Sequence, residues 1–391
     1  MSITELVQPV WPVAWSLAVP QYFFMTGVSA AAFLVSSLTY AFGDGRYRPV
    51  AGLSLIVALT VLLAAPLNLI ADLGQPGRFY ELTFALHGTA PMSWGVFLLT
   101  TYPALILLEI LFAYRGALAE RAASARGRMA TVYRWLAAGR TSVDAAERAR
   151  THRVSRRLAL LGIPWALAVH GYTGYILGVM KARPLWHTAL MPIVFLVSAM
   201  VSGVALLILV AALFQRLDTA GGRVDRELLE RLARMLAGFI VLDLLLRLFW
   251  YTIQWMYGVG AYGPVLQHLF VDSFWTAVVL ETVLGLLVPL AVALVPGWRR
   301  RGWLLFPAAA LAVTGVWVFR WDTVIGGQLI PKVGAGFYAY APPLGGKDGV
   351  LQVVGNWAFW IFLLLGATSL LPWQREAGGA PAGEAAAAEV R

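Results

Sequence analysis

The chain has 391 residues, of which 60% are hydrophobic and 13% charged, and its mean hydropathy is +0.72. A soluble core of this length buries less apolar side chain than that, so the chain belongs in a bilayer. The absence of cysteine excludes disulfides and iron–sulfur ligation by this polypeptide, and the net charge of +10 has to be explained by where the cations fall.

Nine stretches carry the roughly 20 apolar residues that a membrane helix needs. In chain order they are 12–42, 48–70, 91–115, 157–180, 189–215, 235–258, 272–297, 302–320 and 353–373. The fold class expected is an all-α integral membrane protein with about nine transmembrane helices. No basic leader or cleavage site precedes the first stretch, which reads as a retained helix rather than a signal peptide. The insertion 116–156 is rich in Ala and Arg, with Val132, Trp135 and Leu136 on an apolar side. It reads as a helical hairpin or surface helix on anionic lipid headgroups, or as a solvated linker. Residues 321–352 form an outside loop large enough to cover a site or meet a partner, and the Ala, Gly and Glu-rich tail 374–391 is expected to be disordered.

Of the 30 Lys and Arg, 23 fall after the first, third, fifth and seventh stretches or in the tail, against six on the opposite side. The positive-inside rule then places the N-terminus outside and the C-terminus in the cytoplasm, in the cell's inner membrane. The charge is a topology signal, and basic residues spread over short loops do not make a nucleic-acid surface.

The histidines are His87, His152, His170, His187 and His268, and only His170 falls inside a span. A haem-binding cytochrome b needs paired histidines on facing helices, so neither haem nor any other metal is expected. The lysines, Lys181, Lys332 and Lys347, lie in outside loops, which argues against a buried Schiff base. What remains is a set of ionisable groups within or at the ends of spans: Asp72, Glu109, His170, Asp243, Arg247, Asp272, Glu281, Arg320 and Asp322. Each is costly near a bilayer centre unless paired or wetted. Asp243 and Arg247 stand one turn apart and can pair, either to fix helix packing or as part of a proton path. Glu281 has no partner on its own helix and must find one across the bundle, be protonated, or line a hydrated path. Glu109, near the inner end of the third span, is expected to snorkel to the interface. Asp72 and Arg78 are expected to orient each other at the outer surface, and Arg320 and Asp322 to make a similar pair.

The outer half of the fourth span reads His170-Gly171-Tyr172-Thr173-Gly174-Tyr175, with Gln21, Tyr22 and Thr26 of the first span at comparable depth. A quinone ring needs an apolar slot, hydrogen-bond partners for two carbonyls and a nearby proton carrier, and Tyr172 and His170 suit the last two roles. The alternative is that these small and hydroxyl residues pack helices together.

Seven segments in order resemble the membrane subunits of the polysulfide reductase, or NrfD-like, family. They are YFFMTGVSAAAF at 22–33, ADLGQPGRFY at 71–80, PMSWGVF at 91–97, HGYTGY at 170–175, WHTALMPIVFLVSAMVSG at 186–203, FWTAVVLETVLGLLVPL at 274–290 and FRWDTVIGGQ at 319–328. The resemblance implies two four-helix bundles, residues 1–180 and 189–320, with an added ninth helix. The ninth helix and the insertion resemble longer members that accompany enzymes of tetrathionate or related sulfur and arsenic oxyanions. It also implies a subunit that exchanges electrons between menaquinone or ubiquinone and an outer iron–sulfur subunit, with a molybdopterin catalytic subunit beyond it. The quinone contacts so implied are Tyr172 and Thr173 with Gln21 and Tyr22, and Arg320 and Asp322 are expected to bind the quinone with them. Gln21 departs from the Asn or His common at that position. Asp72, Asp243, Arg247 and Glu281 would form a proton path. Two other classes stay open: an ion or solute transporter using the same charges, which lacks the expected repeat and broken helices, and a plain membrane anchor, for which nine helices are excessive.

Overall fold

The computed structural model describes residues 13–84, 87–217, 225–257, 263–330, 340–371 and 373. The described residues are all helical or connecting, and eight helices are long and apolar enough to cross a membrane. We label the main helices α1 (Ala18–Tyr40), α2 (Arg48–Asp72), α3 (Pro91–Ala113), α4 (Arg115–Ser124), α5 (Gly127–Leu136), α6 (Ala145–Gly178), α7 (Met191–Leu217), α8 (Arg226–Tyr257), α9 (Phe274–Leu294), α10 (Gly302–Trp321) and α11 (Val350–Leu370). The predicted sixth span lies within α8, whose 32 residues extend about 48 Å.

The central helix is α1, packed on α2, α6, α7 and α10, while α3 lies on α6, α8 on α7, and α9 on α10. Small residues allow the tightest of these contacts. Gly285 of α9 and Gly315 of α10 meet backbone to backbone, with no room for a Cβ on either. Most of α9, from Phe274 to Leu287, is wound as a π-helix, and a second π turn follows α10 at Asp322–Gly326. Polar contacts do the equivalent work at the edge. Asn68 of α2 donates to Asn356 Oδ1 of α11 at 2.9 Å, Asn356 donates to the Ala64 carbonyl at 2.9 Å, and Gln352 donates to Asn68 Oδ1 at 3.2 Å. In a lipid-facing seam such bonds hold helices that hydrophobicity alone does not bring together.

The cationic loops meet at one end of the molecule. Arg231 donates to the Arg46 carbonyl, Arg300 pairs with Glu230, Arg156 reaches the Ala41 carbonyl and Arg121 the Leu370 carbonyl. At this end Asp44 caps the turn before α2, and its Arg46 partner holds the carboxyl low, at about 2. Exposed tryptophans mark both ends of the helices. Trp94, Trp255 and Trp275 lie opposite the basic end, and Trp298 and Trp303 beside it, as expected of rings set at two membrane interfaces.

Two boundaries differ from the sequence reading. The fourth span belongs to a helix that starts at Ala145, where Asp144 caps the Glu147 amide at 2.6 Å, so α6 projects beyond the apolar stretch. The insertion is thereby shortened to a hairpin of α4 on α5, with Met129, Val132 and Trp135 left exposed along one face of α5. The chain after Arg320 does not become a loop. It continues through the π turn to Leu329, because Gln328 is bonded into the outer end of the bundle. In that predicted loop Lys332 lies outside the described residues, as does the tail 374–391, while Tyr340 packs on Trp321.

The Gly285–Gly315 contact gives a test of the packing. Gly315→Ala is expected to destabilise the chain by about 1–3 kcal/mol through overpacking, whereas Gly238→Ala, with nothing within 4 Å, leaves stability unchanged or slightly raised. Thermal unfolding in detergent checks both.

Candidate functional site

Arg320, at the end of α10, is fully buried and reaches α6 and α7. Its Nη2 donates to Ser198 Oγ at 2.8 Å and to the Phe195 carbonyl at 3.0 Å, both on α7, and stands 3.2 Å from His170 Nε2 on α6. Its guanidinium lies 3.8 Å over the Phe195 ring. His170 Nε2 is 2.9 Å from the same carbonyl, which can only accept, and 3.2 Å from Arg320 Nη2, which can only donate; the shorter contact assigns the proton to Nε2, and Nη2 then gives its two hydrogens to Ser198 Oγ and the carbonyl. Nδ1 is then the lone-pair nitrogen, with the Thr173 hydroxyl 3.5 Å away and donating mainly to the His170 carbonyl at 2.6 Å. Such closeness requires Gly27 on α1, where a Cβ would stand 2.8 Å from His170 Cε1.

A second arginine continues the network. Arg247 Nε bonds Asp243 Oδ2 at 2.7 Å within α8, and its Nη1 bonds Glu281 of α9. Its guanidinium lies 4.0 Å over Phe319, whose ring packs edge-on against Phe195. Two arginines, two carboxylates and two phenylalanines thus form one connected buried set across α6 to α10. Two cations beside two anions balance the charge, and that balance is what makes ions tolerable at this depth.

The set is incompletely bonded. Gln21 Nε2, Arg320 Nε and Nη1, Arg247 Nη2, Asp243 Oδ1 and Asp322 Oδ2 are buried without a partner among the described residues. Native buried polar atoms are bonded almost without exception, so these point to a place for water or a polar ligand. Gln21 Oε1 already accepts from Trp317 Nε1 at 2.7 Å, leaving its two amide hydrogens to give. The donors Gln21 and Arg320, the aromatic walls Phe23, Phe195 and Phe319, and the lone-pair nitrogen of His170 are what a quinone head requires.

The residues picked out from sequence fall into two groups. His170, Thr173, Arg320, Asp243, Arg247 and Glu281 belong to this network, and Gln21 of α1 is tied to α10 by its bond from Trp317. Tyr172 does not face His170: two residues on, it turns to the other side of α6 and lies against Gly95 of α3, with Tyr22 nearby, half-open to the surroundings. The Asp243–Arg247 pair and the cross-bundle partner of Glu281 match the sequence reading. Other pairings are corrected. Asp322 does not pair with Arg320 but accepts from Thr276 at 3.0 Å, because the π turn carries it toward α9. Asp72 does not meet Arg78. It takes the Ser16 amide and hydroxyl at 2.9 and 2.6 Å, while Arg78, on the next turn, pairs with Glu81. Glu109 does not snorkel, since its carboxyl is turned inward to 0% exposure. Asp272 is exposed at the end of a short π turn. Sequence reasoning missed Ser198, Phe195, Phe319 and Trp317. Only the adjacency of Phe319 to Arg320 hinted that an aromatic ring serves a buried guanidinium.

An account in which Arg247 balances two acids has a stability consequence. Arg247→Met leaves two buried carboxylates and is expected to cost about 3–5 kcal/mol, and adding Asp243→Asn with Glu281→Gln recovers most of it in thermal unfolding.

Residues 6–332 match the family described as polysulphide reductase, NrfD. The chain is 31% identical over 333 residues to a selenate reductase subunit of Mesobacillus selenatarsenatis, covering 81% of this chain and 75% of the relative. It is 26% identical over 376 residues to a tetrathionate reductase subunit of Salmonella typhimurium, covering 93% and 94%. It is 24% identical over 330 residues to the Hdr-like menaquinol oxidoreductase integral membrane subunit of Archaeoglobus fulgidus, covering 82% and 72%. A family match over most of the chain, on a multi-helix membrane fold whose buried ions join its helices, leads to one conclusion: the chain belongs to the NrfD polysulphide reductase family.

Proposed function

We propose that this chain is the quinone-reactive membrane subunit of a multi-subunit oxidoreductase. It would exchange electrons between menaquinone or ubiquinone and an iron–sulfur subunit docked on the end opposite the cationic loops, and a molybdopterin subunit would complete the assembly. The observation that carries this reading is that Gln21, Arg320, Arg247 and Asp243 each keep a buried polar atom without a partner among the described residues, with both guanidiniums set over aromatic rings. Relatives named as subunits of selenate and tetrathionate reductases, and one named as a menaquinol oxidoreductase subunit, support it. The bound quinol supplies two electrons and two protons. Gln21 and Arg320 would donate hydrogen bonds to its oxygens, and Tyr22 and Tyr172 would line the entrance from lipid beside α3. His170 Nδ1 accepts a proton, and the imidazole stays fixed because Nε2 is held by the Phe195 carbonyl. Asp243, Arg247 and Glu281 continue the path inward.

The remaining parts of the reading concern placement. With the cationic end in the cytoplasm, the N-terminus lies outside, and the outer end is drawn together by Gln328, which accepts from the Ala14 and Trp15 amides at 2.8 and 2.9 Å. Residues 1–180 and 189–320 act as two helical units joined by the His170–Arg320 contact. The exposed Met129, Val132 and Trp135 face rests in lipid headgroups, flanked by the arginines of the hairpin.

Two outcomes test the site in quinol-driven turnover of the assembled complex. Arg320→Gln and His170→Ala are each expected to lower turnover by at least about a hundredfold, as loss of a proton acceptor or its orienting partner does. Tyr172→Phe is expected to raise the quinol concentration needed for half-maximal rate with little change in the maximum, because it acts at the entrance. Wild-type turnover in Arg320→Gln would remove the proposal.

A further inference from the structure

One buried acid stands outside this network. Glu109 of α3 is 0% exposed, and neither of its carboxylate oxygens has a partner among the described residues. An unpaired carboxylate at membrane depth costs several kcal/mol, and packing alone gains nothing from one. Its surroundings are hydroxyls. Tyr102, two turns earlier on α3, and Tyr40 of α1 both lie within electrostatic reach of it. Tyr40 faces Tyr114, which follows α3, and Tyr102 faces Ser29 of α1. The hydroxyls of Tyr102, Tyr114, Ser54 and Ser155 are likewise buried without a bond among the described residues. Arg48, at the start of α2 at the cationic end, acts on Tyr40. The outer end of the string is Ser29, two residues from the Gly27 that touches His170. Hydroxyls, those of Tyr114 and Tyr102 unbonded among the described residues, therefore lead from the cationic end, past Glu109, to Ser29, which donates to the Ala58 carbonyl at 2.7 Å.

We infer that Glu109 is a proton-binding site of its own, loaded from the cationic end through Tyr40 and Tyr114 and distinct from the Asp243–Arg247–Glu281 set. Each transfer is a hop between oxygens: an O–H bond forms on the carboxylate as one breaks on the neighbouring hydroxyl or water, which is reprotonated from solvent at the cationic end. Nothing is oxidised or reduced. That these protons serve quinone chemistry rests on the function proposed above, but the site itself does not.

The test uses the purified full chain and infrared difference spectra between acid and alkaline pH, in ordinary and heavy water. A protonated carboxyl band that shifts in heavy water is expected in the wild type, absent in Glu109→Gln, shifted in Glu109→Asp, and retained in Glu281→Gln. The same band persisting in a folded Glu109→Gln sample, or no titrating carboxyl at any pH in the wild type, would overturn the assignment. If Glu109→Gln does not fold, the Glu109→Asp band position decides. No quinone enters this measurement, so its failure leaves the redox reading standing and is told apart from it. In the complex reconstituted in vesicles, loss of quinol-driven proton uptake from the cationic side in Glu109→Gln, with electron transfer retained, would link the two.

Discussion

A guanidinium in a bilayer must be given its counter-charges by the same fold that buries it, and the rest of this molecule is arranged around that demand. Arg247 meets it with one acid a turn away and another on the next helix. Among the described residues Arg320 has no directly bonded carboxylate. It relies on a carbonyl, a hydroxyl, an aromatic face and the nearby Asp243, so its stability depends on α6, α7 and α8 standing where they do. The tight Gly27–His170 approach brings α1 against α6 and the Gly285–Gly315 approach brings α9 against α10, while Glu281 of the π-wound α9 meets Arg247 of α8. Packing and electrostatics are therefore one problem here: removing a glycine would pull apart an ion network, and removing an ion would leave a packed seam around an uncompensated charge.

The same constraint shapes what the site can do. Polar atoms held rigidly in a dry surrounding interact strongly with whatever charge develops next to them. A histidine fixed at one nitrogen and open at the other is suited to pass a proton without reorienting. Arg320 and Gln21 keep unmatched donors, and the Phe195 and Phe319 rings lie over the two guanidiniums. The unmatched Asp243 and Arg247 atoms lie on the far side of those rings, in line with a proton route separate from the route for electrons.

Much of this was legible in the sequence because membrane helices follow rules that depend only on composition. Apolar length located the helices, although α6 and α8 begin 12 and nine residues before the apolar stretches that mark them, and cation placement identified the loops that gather at one end. The i,i+4 spacing of Asp243 and Arg247 was enough to pair them. Legibility failed where side-chain direction mattered. His170 and Tyr172 read as one polar string but point to opposite faces of α6, since two residues along a helix turn through about 200°. Asp322 was misassigned because a π turn cannot be read from periodicity, and Glu109 because nearness to a helix end says nothing about which way a carboxyl turns. The Asp144 cap that starts α6 early is a local signal, but it was masked by the arginine-rich segment around it. Family resemblance added partners and cofactor to this reading, but the network around Arg320 comes from the geometry.

The account stands on the quinone head meeting Gln21, His170 and Arg320, and the most direct measurement is photo-crosslinking of an azido-quinone to the purified chain, followed by peptide mapping. The account predicts labelling confined to α1 near Gln21, the outer half of α6 and the end of α10, suppressed by excess unlabelled quinone and by Arg320→Gln. Labelling elsewhere, or labelling that unlabelled quinone does not suppress, would contradict it.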